Sequence, residues 1–498
     1  MAKAWHGVYT CGPFCSPGVA QEMREYKQFY IDGQWVDPVT PKTLDVTNPA
    51  TEAVAGRISV GSAADVDKAV QAAARAFSSY SRTTREERLA LLDRIIAEFE
   101  KRVPELGDAI MEEMGAPKWL AHGTQAAIGV NHFKTARRIL ESYKFEEDRG
   151  SSRVVQEPIG VCAFITPWNW PIHQICAKVA PALATGCTVV LKPSEIAPFS
   201  GQIFAEILHA AGVPAGVFNL VQGEGPVVGQ ALAEHPKVDM ISITGSTRAG
   251  ILVAQAAART VKRVHQELGG KSPNIVLADA DLKAAVTGGI NGIMMNSGQS
   301  CRAPTRMLVP NKLMDEVCTI AREAAETWKP GDPAADSRMG PVISQAQWDK
   351  VQRLIDSGIK EGARLVTGGP GKPEGLDTGW YVKPTVFRDV KNDMEIAREE
   401  IFGPVLSIIG YDTEDEAIAI ANDTEYGLGG YVHSKDIDHA RAIAARIRAG
   451  YISLNNAGLD LNVPFGGYKH SGNGREFGDQ AFGEFLEYKS LLGFTPAA

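Results

Sequence analysis

One cysteine of this chain, Cys301, has surroundings that suit a nucleophile. It lies in the segment 298–302, Gly-Gln-Ser-Cys-Arg, where small and polar residues allow a ligand to approach the backbone. A deprotonated thiol attacks electrophilic carbon and forms covalent intermediates. An ordinary half-buried cysteine explains this segment equally well when the segment is taken alone.

Two further segments carry groups that would complete acyl chemistry. Glu267 follows a strand-like stretch and precedes two glycines, so its carboxylate is predicted to face a cleft and activate water. Asn169 lies in the proline-bounded segment 166–171, Thr-Pro-Trp-Asn-Trp-Pro, where its amide would donate to a developing oxyanion. Taken alone, a solvated or capping carboxylate and a rigid core loop are the more common interpretations.

Two other segments are typical of nucleotide binding. Lys192 and Glu195 follow a predicted strand, where an acidic residue commonly accepts from a ribose hydroxyl. Residues 244–250, Thr-Gly-Ser-Thr-Arg-Ala-Gly, resemble a phosphate-binding strand–turn–helix but lack the Gly-x-Gly-x-x-Gly pattern. A charged surface turn and a helix start capped by Ser246 or Thr247 are the alternatives.

All these residues fall near the ends of predicted elements. Apolar runs at 161–165, 187–191, 217–221 and 238–243 alternate with helix-like segments at 173–184, 200–211, 226–234 and 246–258. Such alternation predicts βα units and a parallel sheet covered on both faces. Ligands bind these sheets at the carboxyl ends of the strands, which is where the polar segments lie.

Local patterns predict further elements outside this block. Residues 29–36 predict two short strands around an Asp-Gly turn. Ser62 with Asp65 predicts a capping box before a helix that buries Val66, Val70 and Phe77. A second block, 268–450, mixes apolar runs with helices at 412–422 and 435–448. The tail at 484–494 predicts a strand that is a candidate for pairing across subunits.

The composition argues against several classes of protein. The 498 residues are 44% hydrophobic and carry a net charge of −8, which is typical of a globular chain. No basic run favours nucleic-acid binding, and no stretch approaches the ~20 apolar residues of a membrane span. The seven cysteines are an odd number, so we expect a reducing, cytoplasmic location and no disulfide framework. No zinc-type spacing follows Cys11 and Cys15, and no metal site is predicted.

Together these segments resemble the aldehyde dehydrogenase superfamily, in its NAD(P)-dependent, non-acylating form. The similarity extends from about residue 29 to residue 490 and includes two more segments, 399–404 (Glu-Glu-Ile-Phe-Gly-Pro) and 464–469 (Pro-Phe-Gly-Gly-Tyr-Lys). Several separated motifs in the family's order are far more specific than any one of them. The resemblance implies an NAD-dependent enzyme that oxidises an aldehyde to the carboxylic acid.

The resemblance also implies a role for each catalytic residue. Cys301 forms a thiohemiacetal and then a thioester with the aldehyde. The Asn169 amide and the Cys301 backbone N–H hold the oxyanion, and Glu267 activates the water that hydrolyses the thioester. Lys178 and Glu476 match residues linked to the water-activating step.

Matching positions for the cofactor follow from the same resemblance. Lys192 and Glu195 bind the adenosine ribose, and Glu195 should repel a 2′-phosphate, so NAD is favoured over NADP. Glu400 binds the nicotinamide ribose and Phe402 packs beside the nicotinamide. The adenosine and pyrophosphate portions are approached by a further set of residues: Ile165, Trp168, Gly225, Gly245 and Ser246.

The implied fold class is α/β, with a Rossmann-like nucleotide-binding domain, an α/β catalytic domain and a small oligomerisation sheet. Residues 26–145 and 160–267 are predicted to form the NAD-binding domain, 268–450 the catalytic domain, and 146–159 with 478–498 the oligomerisation arm. Residues 451–477 are predicted to return into the NAD-binding domain, and 1–25 are an extension without an assigned role. We expect a homodimer or homotetramer, a small-molecule aldehyde as substrate, and neither nucleic acid nor membrane as a partner.

Arg302, directly after Cys301, departs from the neutral residue that many relatives carry there. One hypothesis is that it receives a substrate carboxylate, as in a semialdehyde. The alternative is that its guanidinium turns to a structural partner, which is favoured because Trp168, Trp170 and Phe465 suggest an aromatic, apolar pocket. Residues near 172–175, 302 and 455–462 are predicted to set substrate choice.

Three competing functions are weighed against this interpretation. An acylating enzyme that transfers the thioester to coenzyme A is disfavoured by Glu267, which would divert the thioester to acid. A cysteine hydrolase without redox chemistry leaves Lys192, Glu195 and the 244–250 segment without a purpose. A non-catalytic binding protein would not need the combination of Cys301, Glu267 and Asn169.

Overall fold

The computed structural model describes residues 23–495. Its strands, in chain order, are β1 (Arg24–Tyr26), β2 (Phe29–Ile31), β3 (Gln34–Val36), β4 (Thr43–Thr47), β5 (Val54–Ser59), β6 (Glu146–Arg149), β7 (Ser152–Pro158), β8 (Val161–Ile165), β9 (Thr188–Lys192), β10 (Phe218–Leu220), β11 (Met240–Thr244), β12 (Arg263–Glu267), β13 (Pro273–Val276), β14 (Arg306–Pro310), β15 (Arg364–Thr367), β16 (Thr385–Arg388), β17 (Val405–Tyr411), β18 (Gly429–His433), β19 (Tyr451–Leu454), β20 (Gly472–Asn473) and β21 (Leu486–Leu491).

The α-helices surround these strands. They are α1 (Ala63–Tyr80), α2 (Arg85–Met114), α3 (Lys118–Leu120), α4 (Ala127–Ser142), α5 (Pro171–Thr185), α6 (Phe199–Ala210), α7 (Gln230–Glu234), α8 (Thr247–Ala257), α9 (Leu282–Met294), α10 (Met314–Glu326), α11 (Gln345–Lys360), α12 (Glu395–Arg398), α13 (Glu414–Asn422), α14 (Ile437–Ala444) and α15 (Gln480–Glu484).

An eight-stranded sheet, in the order β20-β12-β11-β8-β9-β10-β2-β3, confirms the predicted parallel arrangement. Its five central strands run parallel to one another. Parallel strands end at the same edge, so Ile165, Lys192, Thr244 and Glu267 all lie there as the last residues of their strands. The edge is therefore the place where a ligand would bind.

A seven-stranded sheet, in the order β15-β16-β17-β14-β13-β18-β19, forms the second layer of strands. All its pairs are parallel except β15 with β16. Tyr451–Leu454, predicted as the start of the return segment, is instead the last strand of this sheet. The chain rejoins the eight-stranded sheet later, at Gly472–Asn473.

A small antiparallel sheet joins β21 with β7 and β6. It contains the two stretches that were predicted to form an arm, although the terminal strand is shorter than predicted and ends at Leu491. Tyr488 in this sheet is 68% exposed, and Leu492, which directly follows the strand, is 83% exposed. The role of this sheet in assembly stays a prediction, as do the domain boundaries.

The predicted extension at 1–25 overlaps the folded chain at its end. Residues 1–22, including Cys11 and Cys15, lie outside the described residues. Arg24 and Glu25, however, belong to β1, which pairs in parallel with β5, and Arg24 forms an ion pair with Glu112 at 2.7 Å. The first strand therefore includes the last two residues of the segment predicted as an extension.

Local sequence signals set the start of the first long helices. Ser62 and Asp65 form the predicted capping box of α1, and Thr84 with Glu87 forms another for α2, which satisfies backbone N–H groups at each helix start. Val66 and Val70 are buried as predicted, whereas Phe77 is only partly buried. No helix among residues 23–495 is long and apolar enough to cross a membrane.

Candidate active site

Cys301 lies at the end of a strained loop that follows α9. Asn296, Ser297 and Gly298 all have positive φ, at 56°, 56° and 75°, a region that is costly for residues with a Cβ. The loop is held by the Asn296 side chain, which donates to the Asn169 carbonyl at 2.8 Å and accepts from Gln125 at 2.9 Å. Strain maintained by buried hydrogen bonds is typical of functional sites.

Asn169 is 4% exposed and lies against this loop. Its side-chain amide donates to the carbonyl of Gln299 at 3.0 Å, two residues before Cys301. The neighbouring Trp170 donates to the Ser300 hydroxyl at 2.8 Å. Hydrogen bonds therefore hold the segment after β8 against the loop that carries Cys301.

Two adjacent glycines bring the Glu267 segment into contact with the cysteine loop. A Cβ on Gly270 would lie 2.3 Å from the carbonyl oxygen of Cys301, and one on Gly269 would lie 2.6 Å from a carboxylate oxygen of Glu400. Larger side chains are excluded at both positions. The backbone that follows Glu267 thus passes directly between Cys301 and Glu400.

Glu267 is 3% exposed, and neither carboxylate oxygen has a hydrogen-bond partner among the described residues. Burial, followed by the nearby carboxylate of Glu476, raises its pKa well above the ordinary value, while Lys178 and Arg475 oppose the rise. One oxygen faces the backbone of Gly466, where a Cβ would lie 2.7 Å away. A buried carboxyl without a partner is suited to exchanging a proton with water.

Lys178 and Glu476 form a buried ion pair, with side chains only 1% and 4% exposed. Lys178 also donates to the Thr244 hydroxyl at 2.6 Å, and Thr244 is the register partner of Glu267 on the neighbouring strand. The Phe465 backbone pairs with that of Glu476 in an isolated bridge. The pair is therefore held beside Glu267 by three separate segments of the chain.

Burial raises the pKa of the Cys301 thiol to about 12, with further increases from Glu267 and Glu400 and a small decrease from Arg302. Mutual repulsion between carboxylates and a thiolate requires that they lie close together. The thiol of the described state is therefore protonated at neutral pH. The other cysteines of the described residues, Cys162, Cys176, Cys187 and Cys318, are buried.

The residues predicted to hold an adenosine ribose form a connected group. Lys192 is 2% exposed and donates to Glu195 at 3.0 Å, and Glu195 accepts from the Gly225 backbone at 3.3 Å. A Cβ on Gly229 would touch Ile165 at 3.3 Å. Lys192, Glu195, Gly225 and Ile165 thus surround one end of the sheet edge.

The next strand end leads into a helix start. The Gly245 backbone donates to the carbonyl of Glu267 at 3.0 Å, and Ser246 caps α8 by accepting from Ala249 at 3.3 Å. The capping interpretation of this segment is correct. A capped helix start with an open glycine beside it also remains suited to a phosphate.

Glu400 and Phe402 lie on the opposite side of the glycine pair. Glu400 accepts from the Gly270 backbone at 2.8 Å, and burial raises its pKa. Phe402 has a positive φ of 58° and packs edge-on against Trp168, with ring centroids 5.3 Å apart. Carboxylates at both ends of the strand edge, Glu195 and Glu400, give two acceptors for ribose hydroxyls.

A cavity of about 400 Å³ opens onto Cys301 and Arg302. Trp170, Phe465 and Phe477 line it, but Trp168 does not, since it packs against Phe402. Polar groups also line the cavity: His173, Gln174, Asn274, His433 and Asn456. The aromatic side chains Trp170 and Phe465 therefore line the cavity as expected, Trp168 does not, and the predicted stretches at 172–175, 302 and 455–462 all contribute to the lining.

Sequence reasoning missed several residues that shape this site. Asn296 and Gln125 were missed because only the folded chain brings them together, 171 residues apart. Tyr431 donates to the Arg302 carbonyl at 2.7 Å and lies in a strand, where its burial gives no sign of a role. The glycines at 288, 289 and 292, which open one wall of the cavity, could have been noticed as an unusual run within a helix.

Comparison with known proteins gives consistent results. The model of the aldehyde dehydrogenase family matches residues 35–491. The chain is 56% identical over 474 residues to 3-succinoylsemialdehyde-pyridine dehydrogenase from a Pseudomonas species, covering 95% of this chain and 99% of that protein.

Solved structures are also similar to this chain. One is a cysteine-to-alanine variant of aldehyde dehydrogenase C from Pseudomonas syringae with NAD+ and octanal, at 54% identity and a TM-score of 0.94, covering 95% of this chain and 98% of the other. Another is betaine aldehyde dehydrogenase from Staphylococcus aureus with NAD+, at 36% identity and a TM-score of 0.91, covering 95% of each chain.

Proposed function

This chain belongs to the aldehyde dehydrogenase family, and we propose that it oxidises an aldehyde to the carboxylic acid with NAD through a thioester on Cys301. The observation that carries the mechanism is the close approach at Gly270, which brings the Glu267 segment against Cys301. A nucleophile, an amide donor and a buried carboxyl group then surround one reacting carbon. This is the arrangement that covalent acyl chemistry needs.

The first half of the reaction forms and oxidises an adduct on sulfur. The Cys301 sulfur adds to the aldehyde carbon, and the carbonyl oxygen becomes an oxyanion. NAD, when bound, would supply the acceptor for the hydride of this carbon, and loss of that hydride would leave the carbon–oxygen double bond of a thioester. Because burial raises the pKa of the Cys301 thiol, Cys301 must give up its proton to solvent as its sulfur adds to the aldehyde.

The second half hydrolyses the thioester. Glu267, as carboxylate, removes a proton from water, which attacks the thioester carbon and releases the acid and the thiol. The Lys178–Glu476 pair sets the charge around Glu267: Glu476 favours the protonated carboxyl group and Lys178 the carboxylate. Lys178 and Glu476 are therefore positioning residues for the water-activating step.

Oxyanion stabilisation is tested by the variant Asn169→Ala. We expect kcat to fall by about 10²–10³, because one preorganised donor is lost. The amide leaves its bond to the Gln299 carbonyl to reach the oxyanion, so the variant also tests whether that bond positions the loop. Steady-state rates with a saturating aldehyde measure the effect, and Asn131→Ala, at an exposed position of α4, is the control. A loss under threefold in Asn169→Ala contradicts the role.

The cofactor assignment is supported by the carboxylates at the two ends of the strand edge. Lys192, Glu195 and Gly225 would hold the adenosine ribose, the start of α8 the pyrophosphate, and Glu400 the nicotinamide ribose. The related structures named above contain NAD+. Glu195 keeps a negative charge because its pKa is lowered by Lys192 and by backbone N–H groups, against the effect of burial.

The preference for NAD over NADP is tested by Glu195→Ala. The ratio of kcat/KM for NADP to that for NAD should rise about 10- to 100-fold, since like charges a few Å apart in a partly buried place repel by about 1–4 kcal/mol. Parallel assays with both cofactors measure the ratio. Glu234→Ala, on the outside of α7, should leave it unchanged, and an unchanged ratio at 195 as well would remove Glu195 from this role.

The whole function is tested by NADH formation and product analysis. The purified protein with NAD and an aldehyde should form one NADH and one carboxylic acid per aldehyde consumed. Failure to form NADH with any aldehyde of a broad panel would refute the proposal. The homodimeric or homotetrameric state and the cytoplasmic location stay predictions, the first checked by light scattering and the second by fractionation.

A further inference from the structure

The substrate cavity contains one ionised side chain, that of Arg302. Its lining residues, all within the described part of the chain, include no aspartate, glutamate or lysine. Burial lowers the pKa of His173 to about 3 and that of His433 to about 4, so both imidazoles are neutral at pH 7. A bound aldehyde therefore meets a single positive charge without a matching negative one.

The Arg302 guanidinium packs against a stack of three aromatic side chains, the aromatic column of Tyr451, Phe465 and Phe477. Its guanidinium carbon lies 5.7 Å from the centre of the Tyr451 ring. Tyr451 stacks on Phe465 at 5.4 Å, and Phe465 stacks on Phe477 at 5.2 Å. A cation over an aromatic face gains electrostatic energy and loses rotational freedom, so the column fixes where the guanidinium points.

The remaining contacts of Arg302 leave most of its donors available. Its Nε lies at 3.4 Å from the Tyr431 hydroxyl, a long hydrogen bond, and that hydroxyl itself donates to the Arg302 carbonyl. Within residues 23–495 the structure contains no hydrogen bond from either terminal guanidinium nitrogen and no carboxylate at ion-pair distance. A partly buried guanidinium without protein acceptors is costly, and an acceptor on the substrate would offset that cost.

Arg302 also lines a smaller cavity of about 110 Å³ beside the first. Asp460 belongs to the lining of this second cavity but is exposed, and its carboxylate accepts from the backbone and side chain of Asn462 at 2.9 and 2.7 Å. The one acid in the neighbourhood is thus already paired. The guanidinium lies between two spaces that together accommodate a substrate longer than the aldehyde group alone.

We propose that Arg302 is a specificity-determining residue that binds an acceptor oxygen, of a ketone or a carboxylate, elsewhere on the aldehyde. This inference rests on the proposed function and adds the class of substrate. Aldehydes with such an oxygen are preferred over alkyl aldehydes of equal length, and aldehydes with a quaternary ammonium group are rejected. The sequence posed two alternatives for Arg302, a structural partner or a substrate oxygen. In this proposal the Arg302 side chain has both.

The test compares substrates of matched length. Pentanal and heptanal serve as alkyl references for 4-oxopentanal and 6-oxoheptanal, and succinic and adipic semialdehydes supply the carboxylate at the same two distances. For at least one length and one oxygen type, kcat/KM should exceed that of the alkyl reference by about 10- to 100-fold, as expected for a hydrogen bond to a charged group. The ketone and carboxylate arms show which oxygen is used.

Three variants connect the preference to the side chain. Arg302→Met should abolish the preference, mainly through a higher KM for the oxygen-bearing aldehydes, and a thermal unfolding midpoint close to that of the wild type shows that the fold is intact. Arg302→Lys should restore part of it because the charge returns without the fork of donors. Arg441→Met, at an exposed site, should behave as wild type, and a trimethylammonium aldehyde should gain in Arg302→Met alone.

Two results overturn the inference. The first is a wild-type preference below threefold for every oxygen-bearing aldehyde, and the second is a preference that Arg302→Met retains. In both cases the aldehydes are still oxidised with NAD, so the proposed function survives. A protein that oxidises none of these aldehydes refutes the proposed function and this inference with it.

Discussion

Cys301→Ala is expected to remove aldehyde oxidation entirely while leaving NAD binding close to wild type. Without sulfur no covalent adduct forms, so the hydride has no oriented carbon from which to leave. Alanine fits the same loop, because the strained residues that precede it are held by Asn296 and not by the thiol. NADH absorbance measures the loss, and quenching of tryptophan fluorescence by NAD measures binding.

The chain offers a matched control for this substitution. Cys318→Ala, in α10 and 6% exposed, removes a thiol far from the strand edge and should leave turnover unchanged apart from a small loss of stability. Turnover within tenfold of wild type in Cys301→Ala would leave the mechanism without its nucleophile.

Glu267→Gln is expected to separate the two halves of the reaction. The amide cannot remove a proton from water, so thioester hydrolysis should slow by about 10²–10⁴, the range of general-base contributions. A first turnover that yields NADH and then stops would appear as a burst of one NADH per site in stopped-flow absorbance. Acid-quenched protein should then carry the acyl group on Cys301, detectable by its mass.

A substitution in an exposed loop serves as the control for Glu267→Gln. Glu374→Gln, in an exposed loop, should show no burst and normal steady-state turnover. Adding a strong external nucleophile such as hydroxylamine should accelerate the second half in Glu267→Gln but not the first. A slow first turnover without a burst would mean that Glu267 acts mainly in proton removal from Cys301, and the assignment to water activation would then be wrong.

The rate of thioester hydrolysis is expected to rise with pH. Burial and Glu476 raise the pKa of Glu267, so below that raised pKa the carboxyl is protonated and cannot act as a base. Thioester release should therefore increase as pH rises through it, at a pH above the ordinary glutamate range. In Glu267→Gln, the rate of thioester hydrolysis measured in a single turnover should not increase over this pH range.

Much of the fold could be predicted because its signals are local. Apolar runs bounded by polar turns located β8, β9, β10 and β11 to within about two residues, since a strand buried on both faces must be apolar along its length. The capping box of α1 needs only residues three apart. The helix near 226 was less well defined, because the chain there begins as a π-helix at Gly225–Gly229 before α7.

The chemical identity of the site was also accessible from sequence, for a different reason. The order and spacing of several motifs pointed to the family, and the parallel sheet placed Lys192, Thr244 and Glu267 at one edge by geometry alone. The pocket was predicted less well. Aromatic residues were assigned to it by composition, but Trp168 turns to Phe402, and a polar set from β13, β18 and the 456 loop takes part instead.

What the sequence by itself determined is the set of reactive groups, the strand ends that carry them and the helices that flank them, because each depends on interactions over a few residues. Only the tertiary structure decided which groups meet: Lys178 with Glu476, 298 residues apart, Asn296 with Asn169, and Arg302 with the Tyr451 column. Such pairings depend on the packing of whole layers. Close packing, and not local preference, chooses the side chains that become neighbours.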